Sequence, residues 1–256
     1  MKIPLLLALL AGATCVNAPA QPTRLQLQPP ILIDDRKEPR GFRTIFNGKD
    51  LSGWDGDPKL WSVKDGAITG RSTPDNPVKV NTFLIWTNGT VADFELRCQF
   101  KMVPNNDQNF ANSGIQYRSK ILEAARWRVG GYQADMEAGP NYTGILYEEA
   151  MSRGIMAQRG EKVFYDQTGK KQVSGSVGTG AEIEACIKKG GWNEYVIIAQ
   201  GNHLQQFING KQTVDVTDGC ESKRALSGVL ALQMHVGAPF TVQFKDIRLK
   251  ALPGRE

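Results

Sequence analysis

Apolar and polar residues alternate with a period of two through Phe94-Glu-Leu-Arg-Cys-Gln-Phe-Lys-Met102, the apolar ones at even positions and the polar ones at odd. Successive side chains of a strand point to opposite faces, so this segment predicts a strand with one buried face and one wet face. Similar patterns predict strands at 195–200, 203–208, 211–217, 228–236 and 241–250. In the last of these the apolar parity shifts between Phe244 and Ile247, which a bulge near Lys245-Asp246 explains. Turn dipeptides such as Asn47-Gly48, Asp65-Gly66, Asn88-Gly89 and Asn209-Gly210 punctuate the chain, as expected for many short strands joined by tight turns. One segment departs from the pattern. Residues 179–189 carry helix formers, with apolar residues at Ile183, Cys186 and Ile187 and a Gly190-Gly191 stop, and predict a single short helix. Residues 155–178 are polar and glycine-rich, and read as a long excursion over the edge of the structure. The fold class expected is all-β, a sandwich with one short helix.

The ends of the chain change the picture. Met1-Lys2 precede an apolar run from Ile3 to Ala13, and small residues end at Ala18-Pro19-Ala20. This is the pattern of a secretory signal peptide over 1–20, with cleavage expected after Ala20, and the run is too short to span a bilayer. Gly12-Ala13-Thr14-Cys15 lacks the leucine that lipid modification of Cys15 would require. The mature protein is therefore expected in the periplasm or outside the cell. Residues 21–40 hold four prolines and a charge cluster, which suits an extended N-terminal tether. The domain is expected over 41–256.

Loss of the signal leaves Cys98, Cys186 and Cys220, compatible with one disulfide and a thiol or with none. Cys98 falls on the buried face of its strand and reads as a small core residue. No CxxC or Cys/His cluster points to zinc. The formal charge of +5 comes from lysines and arginines scattered among acids, without the basic block that a nucleic-acid surface needs.

Candidate chemistry comes from three segments that alternate polar with apolar residues. Gln116 and Arg118 oppose Ile115 and Tyr117; Gln133 and Asp135 share a face; Gln233 and His235 oppose Leu232 and Met234. If the three strands adjoin, these six residues pave one surface able to donate to and accept from sugar hydroxyls in fixed directions. His235 is the foremost catalytic candidate, because imidazole exchanges a proton near neutral pH. Asp135 could orient it, act as the base, or hold a cation. His203, just after a Gly-Asn turn, reads as a half-exposed hairpin residue. Tyr147, Glu148 and Arg153, with Glu149, fall in a loop-like stretch and are candidates for the rim of the site. Asp135 is the sole acid among the polar strand positions, and no ligand spacing identifies a metal.

Phe46-Asn-Gly-Lys-Asp-Leu-Ser-Gly-Trp54, Trp61-Ser-Val-Lys-Asp-Gly-Ala-Ile-Thr-Gly70, Ser113-Gly-Ile-Gln-Tyr-Arg118, Gly131-Tyr-Gln-Ala-Asp-Met136, Trp192-Asn-Glu-Tyr195 and Gly228-Val-Leu-Ala-Leu-Gln-Met-His235 occur in this order. Together they resemble the secreted 3-keto-disaccharide hydrolase domain family over nearly all of 41–250. The resemblance implies a concanavalin-like jelly roll of two antiparallel sheets with the site on the concave one. It also implies a functional link to a sugar 3-dehydrogenase that supplies the 3-keto-glycoside. A C3 ketone acidifies the C2 proton, so that a base can remove it, the C1 substituent can leave, and water can then add. His235 or Asp135 would take the proton, with Arg118 and the glutamines, or a divalent cation, stabilising the enolate. The competing class is a non-catalytic lectin-like carbohydrate-binding module, since fold does not fix function.

Overall fold

The computed structural model describes residues 41–254, so the expected signal peptide and tether lie outside the described residues. Ten strands make one sheet. Its order is β12 (Lys171–Ser176), β11 (Glu161–Tyr165), β15 (Lys211–Asp218), β14 (His203–Ile208), β13 (Asn193–Gln200), β6 (Phe94–Pro104), β17 (Phe240–Ala251), β4 (Ala67–Arg71) and β3 (Trp61–Lys64), with β1 (Arg43–Thr44) also paired to β17. Seven strands make the other, in the order β10 (Gly154–Ala157), β9 (Leu146–Glu149), β8 (Arg128–Glu137), β7 (Asn112–Glu123), β16 (Val229–Met234), β5 (Thr82–Trp86) and β2 (Trp54–Asp55).

The period-two reading of β6 holds residue by residue: Phe94, Leu96, Cys98, Phe100 and Met102 are buried and the side chains between them are not. Facing them across the sandwich, Leu84, Trp86, Ile115, Tyr117, Tyr132, Met136, Leu232 and Met234 complete one apolar cluster. Each large side chain so buried contributes roughly 1.5–3 kcal/mol. Asp65-Gly66 and Asn209-Gly210 have positive φ at both residues, the requirement of the tight hairpin turns joining β3 to β4 and β14 to β15. The register of β17 shifts between Lys245 and Arg248, and Asp246 is left-handed, which is the expected bulge. The α-helix, α1 (Gly180–Cys186), opens on a capping box: Glu182 N–H donates to Thr179 Oγ1 and Thr179 N–H donates to Glu182 Oε2. It stops at Cys186, before the glycines, because the next residue is extended and Asn209 Nδ2 donates to the Cys186 carbonyl at 2.7 Å.

Two expectations need correction. The 155–178 excursion is regular structure: β10 extends the seven-stranded sheet, while β11 and β12 extend the ten-stranded one. β11 enters parallel to β15, the one parallel pair among the described strands. A parallel neighbour is joined by no local turn, so short-range pattern carries little sign of it. The stretch around Tyr147 is likewise a strand, β9, paired with β8. Cys98, Cys186 and Cys220 are all free thiols.

The hairpin of β7 and β8 shapes the outer face of the seven-stranded sheet. At Arg118 the backbone is left-handed (φ 48°), and the pairing register shifts between Tyr117 and Lys120. Gly228 makes room for this bend, since a Cβ there would lie 2.3 Å from the Arg118 carbonyl carbon. Beyond it the hairpin folds across the sheet, where Phe83 N–H donates to Trp127 O at 3.0 Å and Thr82 Oγ1 donates to Arg126 O at 3.1 Å. Underneath it a second apolar cluster forms from Phe83, Ile85, Val129, Val229 and Ala231. The outer face is thereby covered over β5 and β16, and a cavity remains over β8 and β9.

Candidate functional site

The three polar strands adjoin in the order β8, β7, β16. Gln116 pairs with Gln133 and Gly114 with Asp135, while Ala231 on β16 lies opposite Gln116. A cavity of about 250 Å³ opens on this face. Gln133 and Asp135 of β8, Tyr147 and Glu149 of β9, Asn112 of β7 and Ile155 of β10 supply its strand positions; Asn81, Tyr142, Ile145 and His235 surround them. Alternation explains the choice on β9, where Tyr147 and Glu149 share the cavity side and Leu146 and Glu148 face inward.

A directed chain of side chains fixes the Gln133 amide. Ser119 Oγ donates to Gln116 Oε1 at 2.6 Å, and Gln116 Nε2 donates to Gln133 Oε1 at 2.7 Å, leaving Gln133 Nε2 as the donor for the cavity. Gln133 lies over Gly114, where a Cβ would sit 2.5 Å from its Cγ and Cδ. Gly114→Ala is therefore expected to push Gln133 off Gln116 and to cost about 1–3 kcal/mol of stability. It should also weaken sugar binding roughly tenfold, the scale of one lost directed hydrogen bond; titration calorimetry beside urea unfolding reads both.

Asp135 is buried, and its carboxyl is held well above its ordinary value, chiefly by burial, with the charges of Glu137 and Glu149 adding and the Met136 N–H opposing. That amide is 2.9 Å from Asp135 Oδ1. Burial, then Glu149 and Asp135, raises the Tyr147 phenol as well. Glu149 accepts from Asn81 Nδ2 at 3.0 Å and from Gln233 Nε2 at 3.2 Å. Gln233 Oε1 and Asn112 Oδ1 have no partner among the described residues, so two acceptors at this face await donors. His235 Nδ1 lies 2.5 Å from the Val236 carbonyl oxygen. A carbonyl can only accept, so Nδ1 carries the hydrogen and Nε2 bears the lone pair in the neutral ring.

The expected site residues divide. Gln133, Asp135, Tyr147 and His235 meet in the cavity, with Gln233 bonded to Glu149 at its side. Gln116 is fully buried and acts only through Gln133. Arg118 is turned away by its left-handed backbone. Its guanidinium donates to the carbonyls of Ala92, Gly201 and Ala225 and to Asp93 Oδ1, and Arg118 takes no part in lining the cavity. Glu148 and Arg153 are inside the sandwich: Arg153 donates to Glu148 Oε1 at 2.5 Å and to Asp218 Oδ2 at 2.7 Å, with Tyr132 Oη donating to the same Asp218 oxygen. Glu149 is a second acid at the cavity, so Asp135 is not the sole acid at this face. His203 is the expected hairpin residue, 2.9 Å from Asp215. Among the described residues no three His, Cys, Asp or Glu side chains group as metal ligands.

The sequence profile of the 3-keto-alpha-glucoside-1,2-lyase-like domain matches residues 41–250. Among solved structures, a candidate glycosyl hydrolase from Parabacteroides distasonis is 18% identical with a TM-score of 0.52, covering 82% of this chain and 99% of its own. A second from the same organism is 23% identical with a TM-score of 0.52, covering 83% and 95%. At such identities the likeness is one of fold. None of the curated proteins compared with the chain matches it.

Proposed function

Because this chain belongs to the 3-keto-alpha-glucoside-1,2-lyase-like domain family, we propose that it is an exported enzyme cleaving the glycosidic bond of 3-keto-glycosides, after a separate dehydrogenase has oxidised C3. Export to the periplasm or beyond follows from the sequence pattern of residues 1–20. The observation that carries the reaction is the buried Asp135 carboxyl, raised well above its usual value in a cavity of amides and a histidine. A carboxylate made more basic in this way is a stronger proton acceptor than an ordinary one once it is ionised.

Asp135 takes the C2 proton of the 3-keto ring, and the C–H electron pair becomes the enolate, its oxygen accepting from Gln133 Nε2. The enolate collapses to a C1–C2 double bond as the C1 substituent leaves; His235 Nε2 accepts the proton that Asp135 has taken and passes it to the departing oxygen, which returns Asp135 to its carboxylate. Water then adds across the double bond, its hydroxyl to C1 and its proton to C2, completing a net hydrolysis. Glu149 beside Asp135 favours a second reading, ordinary two-carboxylate hydrolysis of an unoxidised glycoside.

Incubating the purified protein with a 3-keto-glucoside and with its unoxidised parent separates the readings. Release of the aglycone from the keto sugar alone is the expected result. Release from the parent sugar would transfer the site to the second reading, and release from neither would leave the lectin-like alternative.

A further inference from the structure

Beside the carboxylate cavity lies a second one of about 310 Å³, built on opposite chemistry. The segment 80–82 divides them: Asn81 lines the first, Val80 and Thr82 the second. Leu60, Val78 and Trp127 give the second cavity apolar walls, and Lys59, Lys79 and Arg126 line it with three cations. The one acid there is Asp57, whose carboxylate already accepts the Lys59 backbone N–H at 2.9 Å. Arg126 is partly answered by Glu123 at 3.3 Å. Neither lysine has an ion-pair partner among the described residues.

The backbone of Trp127 adds an independent observation. It is left-handed (φ 47°) at the end of a 3-10 turn, an unfavourable conformation for a bulky residue and one that persists where surrounding structure enforces it. Here the bonds from Phe83 N–H and Thr82 Oγ1 enforce it. The indole packs partly on the Phe83 cluster and presents the rest to the cavity.

Two acids line one cavity and a surplus of cations with an aromatic wall lines its neighbour. We propose that the second cavity receives the leaving group, and that this leaving group is apolar or aromatic with an anionic carboxylate, sulfate or phosphate. This rests on the cleavage reading above and names the substrate class: a neutral 3-keto sugar joined to an acidic aglycone. The sugar lies over Gln133 and Asp135, the aglycone stacks on Trp127, and its acid group is held by Lys59 and Lys79 through charge-assisted hydrogen bonds.

The test compares 3-keto-glucosides of 3-(4-hydroxyphenyl)propionate and of its methyl ester, whose phenols leave equally well and differ only in charge. The acid is expected to show a KM roughly tenfold lower, in line with one or two charge-assisted bonds. That advantage should shrink as salt is added. The double variant Lys59→Ala/Lys79→Ala, altered at two exposed side chains outside the carboxylate cavity, should abolish the advantage and leave the ester's KM unchanged. Equal KM values in the wild type, or a preference that survives in the double variant, would overturn the proposal. Calorimetry with the free phenolic acid needs no turnover. Lysine-dependent binding without cleavage of either glycoside would sink the cleavage reading and keep the anion site; cleavage of both glycosides without acid binding would do the reverse.

Discussion

Asp135→Asn is expected to lower turnover of a 3-keto-glycoside by roughly 10²–10⁴-fold, the range for loss of a positioned base, while making the protein more stable at neutral pH. Both effects have one origin. Burial holds the Asp135 carboxyl above its ordinary value, so the native state binds a proton more tightly than the unfolded chain does. Below the unfolded value, near 3.8, both states are protonated and the group contributes nothing to stability. As pH rises from there toward the native value, the unfolded chain ionises first and stability falls. Above the native value the full penalty of a buried carboxylate is present. An amide removes that penalty, so the gain in Tm should be nil in acid and should grow toward neutrality. Urea melts of both proteins across that range read it out. A variant that is inactive and also less stable at pH 7 would show that Asp135 serves the fold.

Arg118→Met should cost about 3–5 kcal/mol of stability, the loss typical of breaking a buried charge network, yet leave kcat of the surviving folded protein within a few-fold of wild type. Its side chain is fully buried, and its donors hold three carbonyls and Asp93. Those carbonyls belong to segments before β6, after β13 and before β16, so the guanidinium ties together stretches far apart in sequence. Chemical denaturation measures the loss, and turnover of the folded fraction tests the rest. A large fall in kcat with little change in stability would return Arg118 to the enolate.

This arginine also shows where sequence reasoning stops. Alternation located β6, β13, β14, β15, β16 and β17 and placed Gln133, Asp135 and Gln233 on one face, because parity survives wherever a strand is regular. At Arg118 a single left-handed residue breaks parity, and a slip of one position moves every later side chain to the other face. The segment holds no glycine at that point to betray the bend; the glycine that permits it is Gly228, on a neighbouring strand. Glu148 and Glu149 were indistinguishable while their stretch read as a loop. Recognised as a strand, its alternation sends Glu149 with Tyr147 to the cavity and Glu148 to the ion pair with Arg153. Asn81, Tyr142 and Ile155 arrive from other segments, and no local pattern announces such convergence. The profile over residues 41–250 carried the family, because several motifs in a fixed order are informative where single side chains mislead.

β12 closes one end of the ten-stranded sheet and is nearly all exposed, Val173 included. Its neighbour β11 carries the buried Val163 and Tyr165. The outermost strand thus acts as a sacrificial cover, with Lys170 just before it as a charge that discourages pairing with another chain. Nicking by a protease near residue 170 would strip that cover and leave an apolar, hydrogen-bond-hungry margin, so damaged molecules would self-associate while intact ones stayed apart.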